Sequence, residues 1–427
     1  MSAATTPAGE RHQSIDAVRG FAVLGILLMN IVGMGLPSFA YLDPTYAGGA
    51  EGADLWTWAA SNVLVDGKMR ALFTMLFGAS AVLIAERAAR GDGGLGPAQT
   101  HYRRLFWLLL FGLAHAFLAW YGDVLTLYAV AGLLIFPFRK LPARMQIALG
   151  AAILLLLLTK NVWMSGQIEA LRAAALAPGA AAETVQAWRE TSMTISPPPE
   201  AKAAEIALFQ GSFADAIQAR ANLLGLFYAF LFPTEMLPEA VGQMFVGMGL
   251  FRLGFFTLGW SGRAYGALIA FGYLVCVPVT AWLAWLIWKS GFDPLTLHEM
   301  QVWQQLTRPF IGLAHAAVLL LVVRAGVARG LVGRLADAGR MAFSNYLMSS
   351  VLTSLVFCGY GLGLFGELSR FQLLGVVAGV WAFMLGWSTP WLRRFHYGPF
   401  EWAWRSLVQW RPQPLARKAQ DAAAAAG

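Results

Sequence analysis

The sequence predicts an all-α membrane protein, a polytopic bundle of about ten transmembrane helices. Hydrophobic types make up 58% of the 427 residues and charged types only 13%, whereas soluble domains carry about 25% charged residues. At least eight apolar runs approach or exceed ~18 residues, the length that spans a bilayer. These observations argue against a soluble enzyme, a disordered chain, a coiled coil and a nucleic-acid-binding domain.

The apolar runs define the predicted spans in order along the chain: 15–36, 69–88, 104–121, 123–138, 143–162, 237–255, 264–288, 307–325, 341–359 and 371–391. The first run has Asp16, Arg19 and Asn30 in or beside it and is too long for the core of a signal peptide. We therefore interpret it as the first transmembrane helix.

Arginine and lysine concentrate in alternate connecting segments, which the positive-inside rule assigns to the cytoplasm. This asymmetry predicts that both termini are cytoplasmic and that the whole chain, 1–427, is one membrane domain. It also predicts that 163–222 is an extracytoplasmic, periplasmic loop and that 412–427 is a disordered cytoplasmic tail. The apolar but proline-interrupted stretch 223–236 is predicted to be interfacial or re-entrant. The net charge of +8 indicates contact with anionic lipid of the bilayer, not with nucleic acid.

His115 and Asp123 have the pattern of a general base and the carboxylate that orients it. Arg104 is predicted to lie at the cytoplasmic surface. His115 follows it by eleven residues, on the same helix face and about 16 Å further along the axis. This spacing places the histidine near mid-membrane. Two antiparallel spans and their turn must fit into 105–138, so each leg has about 17 residues or about 25 Å, less than a ~30 Å hydrocarbon core. The turn should therefore be recessed and bring Asp123 towards His115. A carboxylate beside a histidine orients the ring for proton transfer, although a histidine satisfied by a structural partner remains the alternative.

Three polar residues of the first span are further candidates. Asp16 and Arg19 are one helical turn apart, and Asn30 lies on the same face. They could line a cavity, because polar groups inside a bilayer are energetically costly and usually have a function. The alternatives are an ion pair that fixes the helix end and, for Asn30, a hydrogen bond between helices.

Other candidate cavity-lining residues come from the second half of the chain. His315 repeats the local sequence around His115, but we favour a packing role for it. Glu235 and Glu239 flank a proline near the predicted outer face, where they could line a substrate entrance or simply be solvated. On the predicted cytoplasmic side, Arg340 lies just before the ninth span and Asn345 in its first turn. Arg340 could meet phosphates or lipid headgroups there.

Several motifs with a defined chemistry do not occur in the sequence. There is no P-loop, no HExxH, no cysteine–histidine cluster and no GxSxG element. The sequence therefore predicts no metal site, no P-loop ATPase and no serine hydrolase of that type.

Five segments together resemble the bacterial YeiB-like membrane proteins: SIDAVRGFAVLGILLMNI, FTMLFGAS, RRLFWLLLFGLAHAFLAWYGDVLTLYAV, GRMAFSNYLMSS and HYGPFEWAWR. The resemblance covers nearly the whole chain apart from 163–222 and the tail. That family looks like a distant member of a superfamily of transmembrane acyltransferases, which includes bacterial O-acetyltransferases and the lysosomal heparan N-acetyltransferase. Many of those enzymes carry an arginine, ten residues and then a histidine, the spacing of Arg104 and His115 here.

The resemblance implies an enzyme of the bacterial inner membrane with acyl-CoA as its donor substrate. Arg104, Arg340 and Asn345 would bind the phosphates of acyl-CoA at the cytoplasmic face. His115, oriented by Asp123, would deprotonate the hydroxyl or amine of a small-molecule, glycan or lipid acceptor. The acyl group, with acetyl favoured, would pass to an acceptor that arrives from outside.

Two other classes of function stay open on the sequence alone. The same polar groups could form the path of a transporter or permease for a small solute, or the protein could be a sensor or structural protein without turnover. A transporter typically shows a strong internal repeat, whereas only the five residues GLAHA recur here, at 112–116 and 312–316. The oligomeric state, including a homo-oligomer, is also open.

Overall fold

The computed structural model describes residues 8–91, 94–195 and 197–417. Apart from one isolated bridge between Phe395 and Ala416, these residues contain no β-structure. The helices, in chain order, are α1 Ala8–Gly35, α2 Gly52–Leu64, α3 Lys68–Ala89, α4 Pro97–Leu118, α5 Leu125–Ile135, α6 Ala143–Leu176, α7 Ala182–Ile195, α8 Pro199–Gln210, α9 Phe213–Leu226, α10 Leu237–Arg252, α11 Gly262–Phe271, α12 Val277–Lys289, α13 Pro294–Gln304, α14 Arg308–Ala325, α15 Arg329–Arg340, α16 Ala342–Phe357, α17 Arg370–Arg394 and α18 Pro399–Gln409.

The predicted class, an all-α helical membrane protein, is confirmed. Six helical segments of the described residues are long and apolar enough to cross a bilayer: Gln13–Gly35, Gly52–Ala89, Ala143–Leu176, Gly262–Lys289, Arg308–Ala325 and Arg370–Arg394. The protein is therefore a multi-pass membrane protein. Each of the ten predicted spans overlaps a helix, but α4, α5, α10 and α16 do not reach the same length and apolarity, so the count of ten is not confirmed.

Two predicted boundaries differ from the structure. The helix expected to end at 162 continues to Leu176, because the following residues are alanine-rich and contain no proline. The stretch 223–236 is not re-entrant, since α9, a π-helical segment Phe227–Met236 and α10 form one continuous helix. The wider π turns accommodate Pro233, whose ring would clash with a carbonyl in a regular α-helix.

Glycines allow the central helices to pack backbone against backbone. A Cβ atom on Gly20 of α1 would lie 1.9 Å from the carbonyl oxygen of Leu335, and one on Gly339 of α15 would lie 1.8 Å from that of Asp16. Helices α3 and α10 meet in the same way, because a Cβ on Gly247 would lie 1.9 Å from the carbonyl oxygen of Met75. Such close approach between helices is typical of membrane proteins, which gain association energy from packing.

The predicted loop 163–222 and the C-terminal helix lie at opposite ends of the bundle. Glu205 of α8 accepts hydrogen bonds from the backbone N–H and the hydroxyl of Ser38, just beyond the end of α1. Helix α18 instead packs near the start of α1, where its Arg405 shares a cavity with Asp16. Which end faces the cytoplasm stays a prediction from the arginine and lysine distribution.

Candidate functional site

The hairpin of α4 and α5 brings the predicted histidine and carboxylate together. Nδ1 of His115 lies 2.8 Å from Oδ1 of Asp123, and Oδ2 of Asp123 accepts the backbone N–H of Thr126 at 2.7 Å. The two side chains are buried, with residue exposures of 5% and 3%. Gly112 makes this approach feasible, because a Cβ there would lie 2.9 Å from Oδ2 of Asp123.

This geometry assigns the histidine tautomer. An ionised carboxylate only accepts hydrogen bonds, so Nδ1 of His115 carries the proton and Nε2 carries the lone pair. The Nε2 atom is buried and has no hydrogen-bond partner among the described residues. A free, buried lone pair on an oriented imidazole has the chemistry of a general base.

A buried arginine from the predicted extracytoplasmic segment holds the end of α4. Arg220 of α9 is 1% exposed and donates to the carbonyl oxygen of Leu118 at 3.1 Å and to the hydroxyl of Tyr360 at 3.0 Å. The sequence analysis did not single out this residue, because a loop arginine gives no local signal of burial. Arg220 thereby ties the turn of α4 that follows His115 to the body of the protein.

A cavity of about 740 Å³ opens at the end of the bundle where α18 packs. Five arginines and two carboxylates contribute to its lining: Arg19, Arg87, Arg104, Arg340, Arg405, Asp16 and Glu401. The excess of arginine over carboxylate makes the cavity electropositive, which favours an anionic ligand. We call it the basic cavity.

Four of the predicted site residues line the basic cavity. Asp16 and Arg19 form an ion pair at 2.7 Å, so the cavity and ion-pair interpretations both apply. The guanidinium of Arg104 stacks 3.9 Å from the ring centroid of Trp404, and that of Arg340 lies 3.5 Å from Asp337. Two of the three predicted phosphate ligands therefore lie where an anion could meet them.

Helix α18 forms one wall of the cavity, which the sequence analysis did not predict. Glu401 and Arg405 stand four residues apart on this helix, but the described residues show no ion pair between them. The Glu401 carboxylate instead accepts the backbone N–H groups of Phe343 at 2.8 Å and Ser344 at 3.1 Å, together with the Ser344 hydroxyl. It thus caps the N-terminus of α16 from another helix. Burial raises the pKa of Glu401 above its usual value, although these hydrogen bonds act in the opposite direction.

Tyr346 lies between the basic cavity and His115, and we call its side chain the floor of the cavity. Tyr346 of α16 lines the cavity, and its ring centroid lies 5.0 Å from that of His115. The Tyr346 hydroxyl accepts the backbone N–H of Val124 at 3.3 Å, next to Asp123. His115 itself is not part of the lining, so Tyr346 separates the cavity from the His115–Asp123 pair.

The assignment of Asn345 to cofactor binding is corrected. Its side chain is fully buried and does not line the basic cavity. Its Nδ2 atom donates to the carbonyl oxygen of Ala338 at 3.0 Å and to Ser388 at 3.1 Å, and its Oδ1 atom accepts from Trp387 at 2.7 Å. Asn345 is therefore a structural link between α15, α16 and α17.

Two more predicted cavity residues have other surroundings. Asn30 is buried and does not line the basic cavity, and its Nδ2 atom has no partner in the described part of the chain. His315 has both ring nitrogens engaged, Nδ1 by the hydroxyl of Tyr273 and Nε2 by the carbonyl oxygen of Leu64 at 2.9 Å. The favoured packing role of His315 thus agrees with its contacts, and its assignment as a cavity-lining residue is corrected.

The two glutamates also do not line the basic cavity, because both belong to ion pairs at the other end of the bundle. Glu235 pairs with Lys160 and accepts from Asn161 at 2.8 Å. Glu239 pairs with Arg70 at 2.8 Å and accepts from Gln243 at 2.9 Å. Their carboxylates compensate cations and link helices, so the predicted substrate entrance has no support from their contacts.

These features define a class of protein: a multi-pass helical membrane protein with a basic cavity at one end and a buried histidine–aspartate pair behind its floor. Residues 250–411 match a family described as a protein of unknown function (DUF418). The Escherichia coli (strain K12) protein YeiB, described as uncharacterized, is 30% identical over 93% of this chain and 96% of its own. The uncharacterized YxaH of Bacillus subtilis (strain 168) is 29% identical over 97% of this chain and 98% of its own.

The chain therefore belongs to the YeiB-like family, as the sequence segments predicted. A protein described as an uncharacterized 39.9 kDa protein from Bacillus acidopullulyticus is 26% identical over 96% of this chain and 97% of its own. No solved structure matches the chain.

Proposed function

We propose that this protein is an acyltransferase of the bacterial inner membrane that takes acyl-CoA into the basic cavity. One observation carries the proposal: an electropositive cavity of about 740 Å³ ends on Tyr346, and the ring of Tyr346 packs directly on His115. Arginines suit the phosphates of a nucleotide-bearing donor. A buried base directly behind the floor suits a reaction at the far end of a long donor arm.

In the proposed reaction, Nε2 of His115 accepts the proton of an acceptor O–H or N–H group. The acceptor atom bonds to the carbonyl carbon of the thioester, and the carbon–sulfur bond breaks. CoA leaves as a thiolate, which takes the proton from the imidazolium. Asp123 holds the ring and stabilises its charged form throughout.

Tyr346 must move for the donor to reach His115. Its hydroxyl accepts the backbone N–H of Val124 at 3.3 Å, a long hydrogen bond that rotation of the side chain would break. Rotation of this side chain would open the floor of the cavity towards Nε2 of His115. The acceptor, a small molecule, glycan or lipid that arrives from the opposite side of the membrane, would then react with the donor beside Nε2 of His115.

The first test is acyl-CoA binding and acyl transfer by the purified full-length protein and its His115→Ala variant. We expect the variant to bind acetyl-CoA like the wild type, because His115 does not line the cavity. We expect its transfer rate to fall by about 10²–10⁴-fold, the usual contribution of a general base. Transfer is measured with radiolabelled acetyl-CoA in the presence of membrane extracts that supply the acceptor.

His315→Ala is the matched control. This histidine stands in the same five-residue sequence but has both nitrogens bonded to structural partners. We expect the control to lower thermal stability while it leaves transfer intact. A wild-type protein that does not bind acyl-CoA, or a His115→Ala variant with full transfer, would reject the enzyme and favour a transporter.

A further inference from the structure

Four cations gather at the end of the bundle opposite the basic cavity. Lys68 and Arg70 belong to the first turn of α3, Arg308 begins α14 and Arg370 begins α17. Each helix N-terminus adds a partial positive charge of its own. Three helices therefore direct both a positive end and cationic side chains into one region.

These groups converge on the turn between α2 and α3. A Cβ atom on Gly67, whose φ is +73°, would lie 2.6 Å from Cδ of Arg308, so this arginine packs directly on the turn. Asp66, Arg370 and Tyr41 line one small recess of about 20 Å³. Lys68 begins α3 directly after this turn.

The cations are only partly compensated. Arg70 pairs with Glu239, but Lys68 and Arg370, with exposures of 0% and 4%, donate to backbone carbonyls. Arg308 donates through Nη2 to the carbonyl oxygen of Gln301 at 3.3 Å. Asp66 forms no ion pair within 4.0 Å in the described part of the chain. The buried Nε atoms of Arg308 and Arg370 have no hydrogen-bond partner there either.

An uncompensated buried cation is costly in a membrane protein and usually marks a function. Unused guanidinium N–H groups are the donors that bind carboxylate and phosphate oxygens best. A bound anion would satisfy these donors and offset the positive helix ends. The recess lined by Asp66 and Arg370 has a volume of about 20 Å³, room for about one water-sized group, so one oxygen of such an anion could enter it.

We propose that this cluster, which we call the oxyanion site, binds a phosphate-type oxyanion that carries a hydrogen on one of its oxygens. Arg308, Arg370 and Lys68 take the negative charge, and Asp66 accepts the ligand's O–H. The carboxylate repels an oxyanion without a hydrogen, so Asp66 acts as the selectivity residue. A soluble phosphate compound and a lipid headgroup share this chemistry.

This oxyanion site goes beyond the proposed acyltransferase, because it is a binding site at the other end of the molecule. In a transferase it would hold the anionic part of the acceptor. Its test needs no acyl-CoA and no turnover. Failure of acyl-CoA binding and failure of oxyanion binding are therefore separate results.

The experiment titrates full-length protein in a non-ionic detergent, at neutral pH and constant ionic strength, with inorganic phosphate and with sulfate. Inorganic phosphate retains a hydrogen under these conditions and sulfate does not. We expect the wild type to bind phosphate more tightly than sulfate by calorimetry. Arg370→Gln and Arg308→Gln should each weaken phosphate binding by about tenfold or more.

Arg189→Gln, at an exposed arginine of α7, is the matched control and should bind phosphate like the wild type. Asp66→Asn should reverse the preference towards sulfate, and this reversal remains readable if an arginine variant fails to fold. Competition by phosphatidic acid in nanodiscs would assign the site to a lipid headgroup, and lack of competition to a soluble phosphate. Equal and weak responses to phosphate, sulfate and chloride in the wild type would overturn the proposal.

Discussion

At the residue scale, Asp123 determines which nitrogen of His115 carries the proton. Its Oδ1 atom faces Nδ1 of the ring at 2.8 Å, while Oδ2 accepts the N–H of Thr126. The backbone bond fixes the carboxylate, and the fixed carboxylate orients the ring. The free lone pair on Nε2 is a consequence of this arrangement.

Asp123→Asn should therefore abolish most acyl transfer without disturbing the fold. The amide oxygen can still accept from Thr126, which turns the NH₂ group towards Nδ1 of His115. Nδ1 must then accept, so the proton moves to Nε2 and the base is lost. We expect transfer to fall by about 10²–10⁴-fold with acetyl-CoA binding retained, measured by single-turnover transfer and calorimetry. A variant with wild-type transfer would show that Asp123 has no role in orienting the base.

Residue pairs that are close in sequence could be predicted, whereas distant ones could not. Asp16 with Arg19, and His115 with Asp123, follow from helical spacing and from the length of one hairpin. The partners of Asn345 are set by how α15 and α17 pack on α16, which no spacing encodes. The same holds for the cations of the oxyanion site, Lys68, Arg308 and Arg370, which come from three helices.

At the element scale, α18 joins the basic cavity to the start of α16. The position of α18 beside the cavity depends on Glu401, whose carboxylate accepts the N–H groups of Phe343 and Ser344. A helix cap from a remote carboxylate leaves no local sequence pattern. The continuity of α9 with α10 was also missed, because a proline near the middle of an apolar run usually ends a helix.

Burial of the Glu401 carboxyl makes the stability of the protein depend on pH, and this dependence can be measured. Burial raises the pKa of Glu401, so the folded protein binds this proton more tightly than the unfolded chain does. Its contribution to stability is thus present below the unfolded pKa and is lost as the pH rises through the raised folded value.

We expect the melting temperature of the wild type, relative to that of Glu401→Gln, to fall as the pH rises from about 4 to about 7. The variant keeps the shape and an acceptor oxygen but cannot ionise. Thermal unfolding in detergent across this range provides the measurement. Glu183→Gln, at an exposed position on α7, should follow the wild-type profile, and parallel curves for wild type and Glu401→Gln would contradict the expected burial of this carboxyl.

At the scale of the whole molecule, two anion-attracting regions lie at opposite ends of one bundle. Helix α1 runs from Asp16 and Arg19 in the basic cavity to the turn that supplies Tyr41 to the oxyanion site. Helix α3 runs in the opposite direction: it begins with Lys68 of the oxyanion site, and its Ser80 lines the basic cavity. The His115–Asp123 pair lies between the two ends, behind Tyr346. A donor from one side and an acceptor from the other could meet there only if the basic cavity faces the cytoplasm, where acyl-CoA is made.

The arginine and lysine distribution predicts this orientation, and cysteine labelling tests it. Single cysteines replace Gln186, on α7 in the predicted periplasmic loop, and Ala416, just beyond α18. The native Cys276 and Cys358 are buried and should give little background. We expect a membrane-impermeant maleimide to label Gln186→Cys in intact spheroplasts, and Ala416→Cys only after permeabilisation. Labelling of both from outside would contradict the placement of these segments at opposite ends. Labelling of Ala416→Cys alone would turn the basic cavity away from the cytoplasm, and the proposed donor could not reach it.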